Sequence, residues 1–234
     1  MQYKQINIQE SPTKELTLFF AGWGMDETPF SNIKSSNNDV IIVYDYRFNN
    51  GDFTMLESLL KPYTSINVIA WSMGVWGATK AFANMPSLIS RVKSSLAING
   101  TLIPTDSSRG IPLEIYNKTI DNLPQGLPSF NLRMCGGRGA LAEYNNIASK
   151  RDSEEIISEL KEIRDNALTP ECINELKNSI VWNRVIIADR DLIIPTANQD
   201  SFWKGYREQN NKNLIIELTE GPHYLFNRWN SWEF

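Results

Sequence analysis

The sequence predicts an α/β fold: a mostly parallel, twisted central sheet flanked by helices. Two observations carry this. Short apolar runs alternate with segments of helical spacing, the pattern of strands joined by crossover helices. Several of the runs are rich in Val and Ile and apolar on both faces, as strands covered by helices on each side are. A chain of 234 residues, 41% hydrophobic and 21% charged, is long enough to bury a sizeable core without cross-links.

The elements follow in order. Tyr3–Ile8 alternates polar and apolar residues and reads as an exposed antiparallel edge strand. Leu16–Phe20 and Val40–Tyr44 are the next strands. Phe53, Leu56, Leu59 and Leu60 lie near helical spacing and predict a helix over Phe53–Lys61. Ile66–Trp71 is a strand, and Val75–Ala83 a helix directly after it. Leu96–Asn99, Val185–Ala188 and Leu214–Leu218 complete the strands. Helices are expected at Thr196–Tyr206 and Tyr224–Trp232.

One stretch breaks the alternation. From about residue 105 to 179 there is no good strand. It holds a helical run at Leu113–Leu123, the Pro/Gly-punctuated loop LPQGLPSF, a glycine-rich turn at Gly136–Gly139 and a charged helix from about Ser153 to Ala167. Thr169-Pro170-Glu171 reads as the start of another helix, with Thr169 as N-cap and Pro170 at the first position. The expectation is one core made of residues 1–104 and 180–234, with 105–179 inserted as a helical lid.

Composition removes several classes of function. Two cysteines, Cys135 and Cys172, build no disulfide framework and stand in no metal-ligand spacing. With a single histidine, a metal site is not expected, and neither is a cofactor. A net charge of −4 gives no electrostatic case for nucleic acid. No apolar run reaches the roughly 20 residues that span a bilayer, and the N-terminus lacks a signal-peptide pattern. The expected location is the cytoplasm.

The chemistry is concentrated in four places. Ala70-Trp71-Ser72-Met73-Gly74 lies between a strand and a helix and fits a nucleophile elbow, with Ala70 at the first small position. The turn is sharp, so residues two before and two after the serine must be small. Ser72 then needs a general base. His223, in Gly221-Pro222-His223 after the last strand, is the sole imidazole. The base needs a carboxylate to fix its tautomer. Asp191, four residues before Pro195 and after the penultimate strand, is the first candidate, and Asp189 the second. The order Ser…Asp…His is that of the α/β-hydrolase fold. The fourth part is an oxyanion hole, for which the backbone N–H groups of Met73 and Trp23 are the candidates. Ala21-Gly22-Trp23-Gly24 supplies the second of these. It is no dinucleotide fingerprint, because Glu27 stands where a third glycine is required.

FFAGWGMD, the WSMG elbow, DLIIP and GPHYLF together resemble the α/β-hydrolases that demethylate pimeloyl-acyl carrier protein methyl ester in biotin synthesis, and among them the compact BioG-type esterases. The larger esterases of that pathway usually carry His at the position of Ala21 and a DxPGxGxS loop where this chain has Tyr44-Asp45-Tyr46-Arg47-Phe48-Asn49. Both departures fit the compact group. The resemblance implies a cytoplasmic serine esterase acting on a methyl ester at the end of a carrier-bound seven-carbon chain, with acyl carrier protein as partner. Trp23, Trp71, Trp76, Phe130 and Met134 are candidates to line the acyl tunnel. Arg133, Arg138 and Arg151, with Lys150 nearby, are candidates to meet an acidic carrier. Two other readings stay open. One is a different serine hydrolase, such as a thioesterase or small-ester carboxylesterase. The other is a non-catalytic binding protein on the same fold.

Overall fold

The computed structural model describes every residue except 9–12, 36, 50, 168–178 and 233–234, and only the backbone of Asn7. Seven strands form one sheet in the order β1-β3-β2-β4-β5-β6-β7. They are β1 Gln2–Asn7, β2 Glu15–Phe20, β3 Asp39–Tyr44, β4 Ser65–Trp71, β5 Val92–Ile98, β6 Arg184–Ala188 and β7 Ile215–Thr219. β1 lies at the edge and is antiparallel to β3, while every other neighbouring pair is parallel.

Alternation along the central strands sends neighbouring side chains into two separate cores. Leu16, Leu18, Phe20, Val68 and Ala70 point to one, together with Val75, Trp76 and Phe82 from the helix after β4. Phe19, Ala21, Ile42, Ile69 and Trp71 point to the other, where they meet Phe30, Tyr224, Phe226 and Trp232. Trp76 is fully buried, with its ring 5.8 Å from Phe48 and 6.4 Å from Tyr46. It belongs to the core and lines no tunnel, contrary to expectation.

Register sets the site. Phe20 pairs with Ala70, Trp71 with Ile98, Ile98 with Ile186, and Ala188 with Thr219. The C-terminal ends of these parallel strands therefore lie along one edge of the sheet. Ligands of open α/β sheets bind outside that edge.

Among the described residues the α-helices are α1 Asp52–Leu60, α2 Met73–Asn84, α3 Leu113–Asp121, α4 Leu127–Cys135, α5 Arg138–Asn145, α6 Ser153–Ala167 and α7 Thr196–Gln209. Helices α3 to α6 all fall between the adjacent strands β5 and β6. Two expectations fail. LPQGLPSF is not all loop: Leu127 opens α4, and Pro128 stands within its first turn, where a missing N–H costs no hydrogen bond. Tyr224–Trp232 is not a helix; only Phe226–Arg228 makes a short 3-10 turn. Its aromatic rings are drawn under β2, where Phe19 meets Phe226 at 5.4 Å and Trp232 at 4.8 Å. The backbone pairs with residue 34 instead, through Trp232 N–H to Lys34 O at 2.8 Å. Cys172 and the helix start at Thr169 lie outside the described residues. Among the described residues, no helix is long and apolar enough to cross a membrane.

Candidate active site

Ser72 sits between β4 and α2 with φ 57° and ψ −126°, a backbone conformation unfavourable to any side chain but glycine. Close packing enforces it. A Cβ at Gly74 would lie 2.2 Å from Phe20 O, and one at Gly100 would lie 2.3 Å from Ser72 O. The elbow is thus pressed between the ends of β2 and β5, and neither neighbour has room for a side chain.

His223 Nε2 is 2.9 Å from Ser72 Oγ, and His223 Nδ1 is 2.7 Å from Asp191 Oδ2. All three side chains are buried. Asp191 is held from every side. Its Oδ1 accepts the N–H groups of Ile193 at 2.8 Å and Ile194 at 2.9 Å. Its Oδ2 also accepts Gln199 Nε2–H at 2.8 Å. The histidine loop is anchored through its backbone: His223 O accepts Trp71 Nε1–H at 3.0 Å and Asn99 Nδ2–H at 2.8 Å. Asn99 Oδ1 accepts the N–H of Ala188 at 2.7 Å, which links the ends of β5 and β6 to the same loop.

Asp189 lies apart from this chain of bonds. Its carboxylate accepts Gly221 N–H at 2.9 Å and stands 3.8 Å from Arg190 at the surface.

A cavity of about 560 Å³ opens above Ser72 and His223. Trp23, Trp71, Met73, Phe130 and Met134 all line it, together with Ile111, Tyr116, Leu123 and Leu160. Met73 N–H is the first of α2, so it has no acceptor within the helix and lies at the positive end of the helix dipole. The outer part is polar, with Thr119, Asn122, Gln125 and Ser129, and carries two exposed cations, Lys118 and Arg133. Ile115 and Leu192 add exposed apolar surface there.

The three arginines read as one group have separate fates. Arg133 lines the cavity. Arg138 is exposed at the start of α5 and is not among the lining residues. Arg151 is the contradicted one: its side chain is only 5% exposed and is held by Glu159 Oε2 at 2.5 Å and Asp45 Oδ1 at 3.2 Å. A guanidinium so enclosed has no face left for an acidic partner. Lys150 keeps an exposed side chain, but its backbone N–H is bound to Asp26 at 2.8 Å.

Burial alone would raise the Asp45 carboxyl, yet bonds from Arg47 and the charge of Arg151 hold it below the usual range. Burial pushes Glu159 above that range, against the pull of Arg151 and the Tyr46 N–H. Cys135 is no rival nucleophile: it is buried, and burial pushes its thiol up to about 11. Among the described residues, no three His, Cys, Asp or Glu side chains gather to hold a metal.

The sequence reading missed Lys118, Gln199, Asn99 and Glu159. Lys118 was within reach of helical spacing, since Ile115 and Thr119 lie on its side of α3 and Asn122 follows at the helix's C-terminal cap, four residues on. The other three carried no local signal.

The sequence model of the family described as pimeloyl-ACP methyl esterase BioG matches residues 1–234. A Bacteroides fragilis protein named malonyl-[acyl-carrier protein] O-methyltransferase is 41% identical over 216 residues, which are 90% of this chain. The chain spans 40% of that relative's length. The crystal structure of BioG from Haemophilus influenzae is 32% identical, with a TM-score of 0.82 over 99% of this chain and 98% of that one. An enol-lactonase from Burkholderia xenovorans, 14% identical, has a TM-score of 0.64 over 95% of this chain and 88% of its own, a likeness of fold. The fold is that of the α/β-hydrolases.

Proposed function

The chain belongs to the pimeloyl-ACP methyl esterase BioG family, and from that premise we propose that it is a serine esterase removing the methyl group from a carrier-bound dicarboxylic acyl chain. The observation that carries this reading is the unbroken sequence of hydrogen bonds from Ser72 Oγ through His223 to Asp191 at the floor of an apolar cavity.

The chemistry follows from the geometry. Ser72 Oγ attacks the ester carbonyl while His223 Nε2 takes its proton. Asp191 keeps Nδ1 protonated and stabilises the imidazolium. The tetrahedral oxygen is met by the N–H groups of Met73 and Trp23. Collapse expels methanol, protonated by His223, and leaves an acyl-enzyme. Water, deprotonated by the same nitrogen, then frees the carboxylate and restores Ser72.

The acyl chain runs from Ser72 along Ile111, Tyr116, Leu123 and Leu160 toward the opening, and helices α3 to α6 act as a lid over it. Lys118 and Arg133 at that opening suit an acidic acyl carrier protein, whose presence sets the reaction in the cytoplasm. The Bacteroides relative adds support. It bears the name of a methyltransferase for a carrier-bound acid, and a region of it resembles this chain. A methyl group put on a carrier-bound carboxylate needs a hydrolase to take it off.

The test is direct. A fluorophosphonate probe labels Ser72, and Ser72→Ala abolishes both labelling and release of methanol from the carrier-bound methyl ester. Release of the free acid at the thioester end instead would make the protein a thioesterase. Labelling of the Ser72→Ala protein at the wild-type rate would remove the nucleophile altogether.

A further inference from the structure

The loop Ala21–Gly24 carries the N–H of Trp23, and three contacts fix it. Tyr46 Oη–H is bonded to Ala21 O. Trp23 Nε1–H is bonded to Ile156 O at 2.7 Å. Gly24 N–H is bonded to Glu159 Oε2 at 3.2 Å. Ile156 and Glu159 are three residues apart on one face of α6. One helix of the inserted segment therefore holds the loop at Trp23 and at Gly24, the residue that carries the proposed oxyanion donor and the one after it, while Tyr46 holds it at Ala21.

Glu159 is fully buried and has further ties. Its Oε1 accepts the N–H of Tyr46 at 2.9 Å, and its Oε2 takes Arg151 Nη1 at 2.5 Å. Arg151 in turn faces Asp45 at 3.2 Å. Asp45 has φ 62° and is bound by Arg47 at 2.6 and 2.7 Å. Burying such charges is costly, and apolar side chains of similar volume commonly give equal stability. What an apolar cluster cannot do is accept a hydrogen bond from Gly24.

We propose that Glu159 is a positioning residue for the anion-stabilising loop, so that the oxyanion hole is complete only while α6 is docked and Arg151 and Asp45 hold its carboxylate in place. This rests on the serine-esterase reading of the site.

The test uses the whole protein, a short chromogenic acyl ester and a phenylboronic acid, whose tetrahedral adduct on Ser72 places an oxygen in the hole. Arg151→Met/Glu159→Met keeps the packing and removes the acceptor. In it kcat falls about tenfold or more, KM stays within about twofold, and boronate affinity falls with kcat. Glu159→Gln offers one carbonyl oxygen in place of two carboxylate oxygens, so its kcat and boronate affinity lie between the double variant and wild type. It also serves if the double variant does not fold. A residue of purely structural importance would lower Tm and leave both quantities unchanged per folded molecule. That result in either variant overturns the inference. If wild-type hydrolysis itself survives Ser72→Ala, the reading of the site has failed and the inference falls with it.

Discussion

Gln199 donates its Nε2–H to the same oxygen of Asp191 that faces His223 Nδ1, at 2.8 and 2.7 Å respectively. The carboxylate is thereby held beside the imidazole by a side chain with no exposed surface on α7. Gln199→Leu removes that donor from a buried charge. The expected loss of stability is about 1.5–3 kcal/mol, read from urea unfolding, and kcat should fall about tenfold as the imidazole loses orientation. A Gln199→Leu protein with wild-type kcat would show that the two backbone N–H groups suffice.

The two aspartates of the Asp189-Arg190-Asp191 loop should separate cleanly. Asp191→Asn presents the wrong group to Nδ1 and should lower kcat by roughly four orders of magnitude. Asp189→Asn can still accept the Gly221 N–H and should stay within a few-fold of wild type. Steady-state kinetics on a short ester decides it, and the reverse pattern would move the acid to Asp189.

Charges at the cavity mouth should matter to the carrier alone. Lys118→Ala and Arg133→Ala should each cost about 0.2–1 kcal/mol in kcat/KM on a carrier-bound ester. The loss should shrink as salt screens charges over ~10 Å at 0.1 M. A short ester should not respond. Arg151→Ala should instead destabilise the fold by about 3–5 kcal/mol, because it leaves Glu159 buried without its partner. Equal, carrier-selective losses in all three variants would contradict the ion pairs of Arg151.

Asp45 gives a dependence of stability on pH. Its folded pKa lies below the ordinary value. The stability it contributes is therefore full above about 4, the unfolded value, and is lost as pH falls through the folded one. Asp45→Asn keeps a residue type that tolerates positive φ. Denaturant unfolding at pH 6 and pH 3 should show a smaller difference in this variant than in the wild type. An identical difference would mean that Asp45 titrates alike in both states.

The strands were legible because buried parallel strands are apolar on both faces, and Ile66–Trp71 or Val185–Ala188 can be little else. The bonded chain of Ser72, Asp191 and His223 was legible because each residue follows a strand that ends at the same edge. What the sequence concealed was burial of polar groups. Arg151 reads like any lid cation until Asp45, 106 positions earlier, is seen to enclose it. Gln199 reads like any helix residue until α7 turns it toward Asp191. The segment from Tyr224 to Trp232 misleads for the opposite reason. Its aromatics suit a helix face, but a pocket of rings around Phe19 and Phe30 takes them one by one.

Ser72 and His223 are 151 positions apart, and the chain has one histidine. A ribosome adding about 5–20 residues per second needs roughly 8–30 s to travel from one to the other. Throughout that interval the emerging elbow lacks the imidazole that stands 2.9 Å from Ser72 Oγ in the folded chain, and β7 has yet to join the sheet. The stretch from residue 1 to 222 contains no imidazole. On the proposed mechanism, a fragment of this sequence that ends before residue 223 carries the nucleophile without its base.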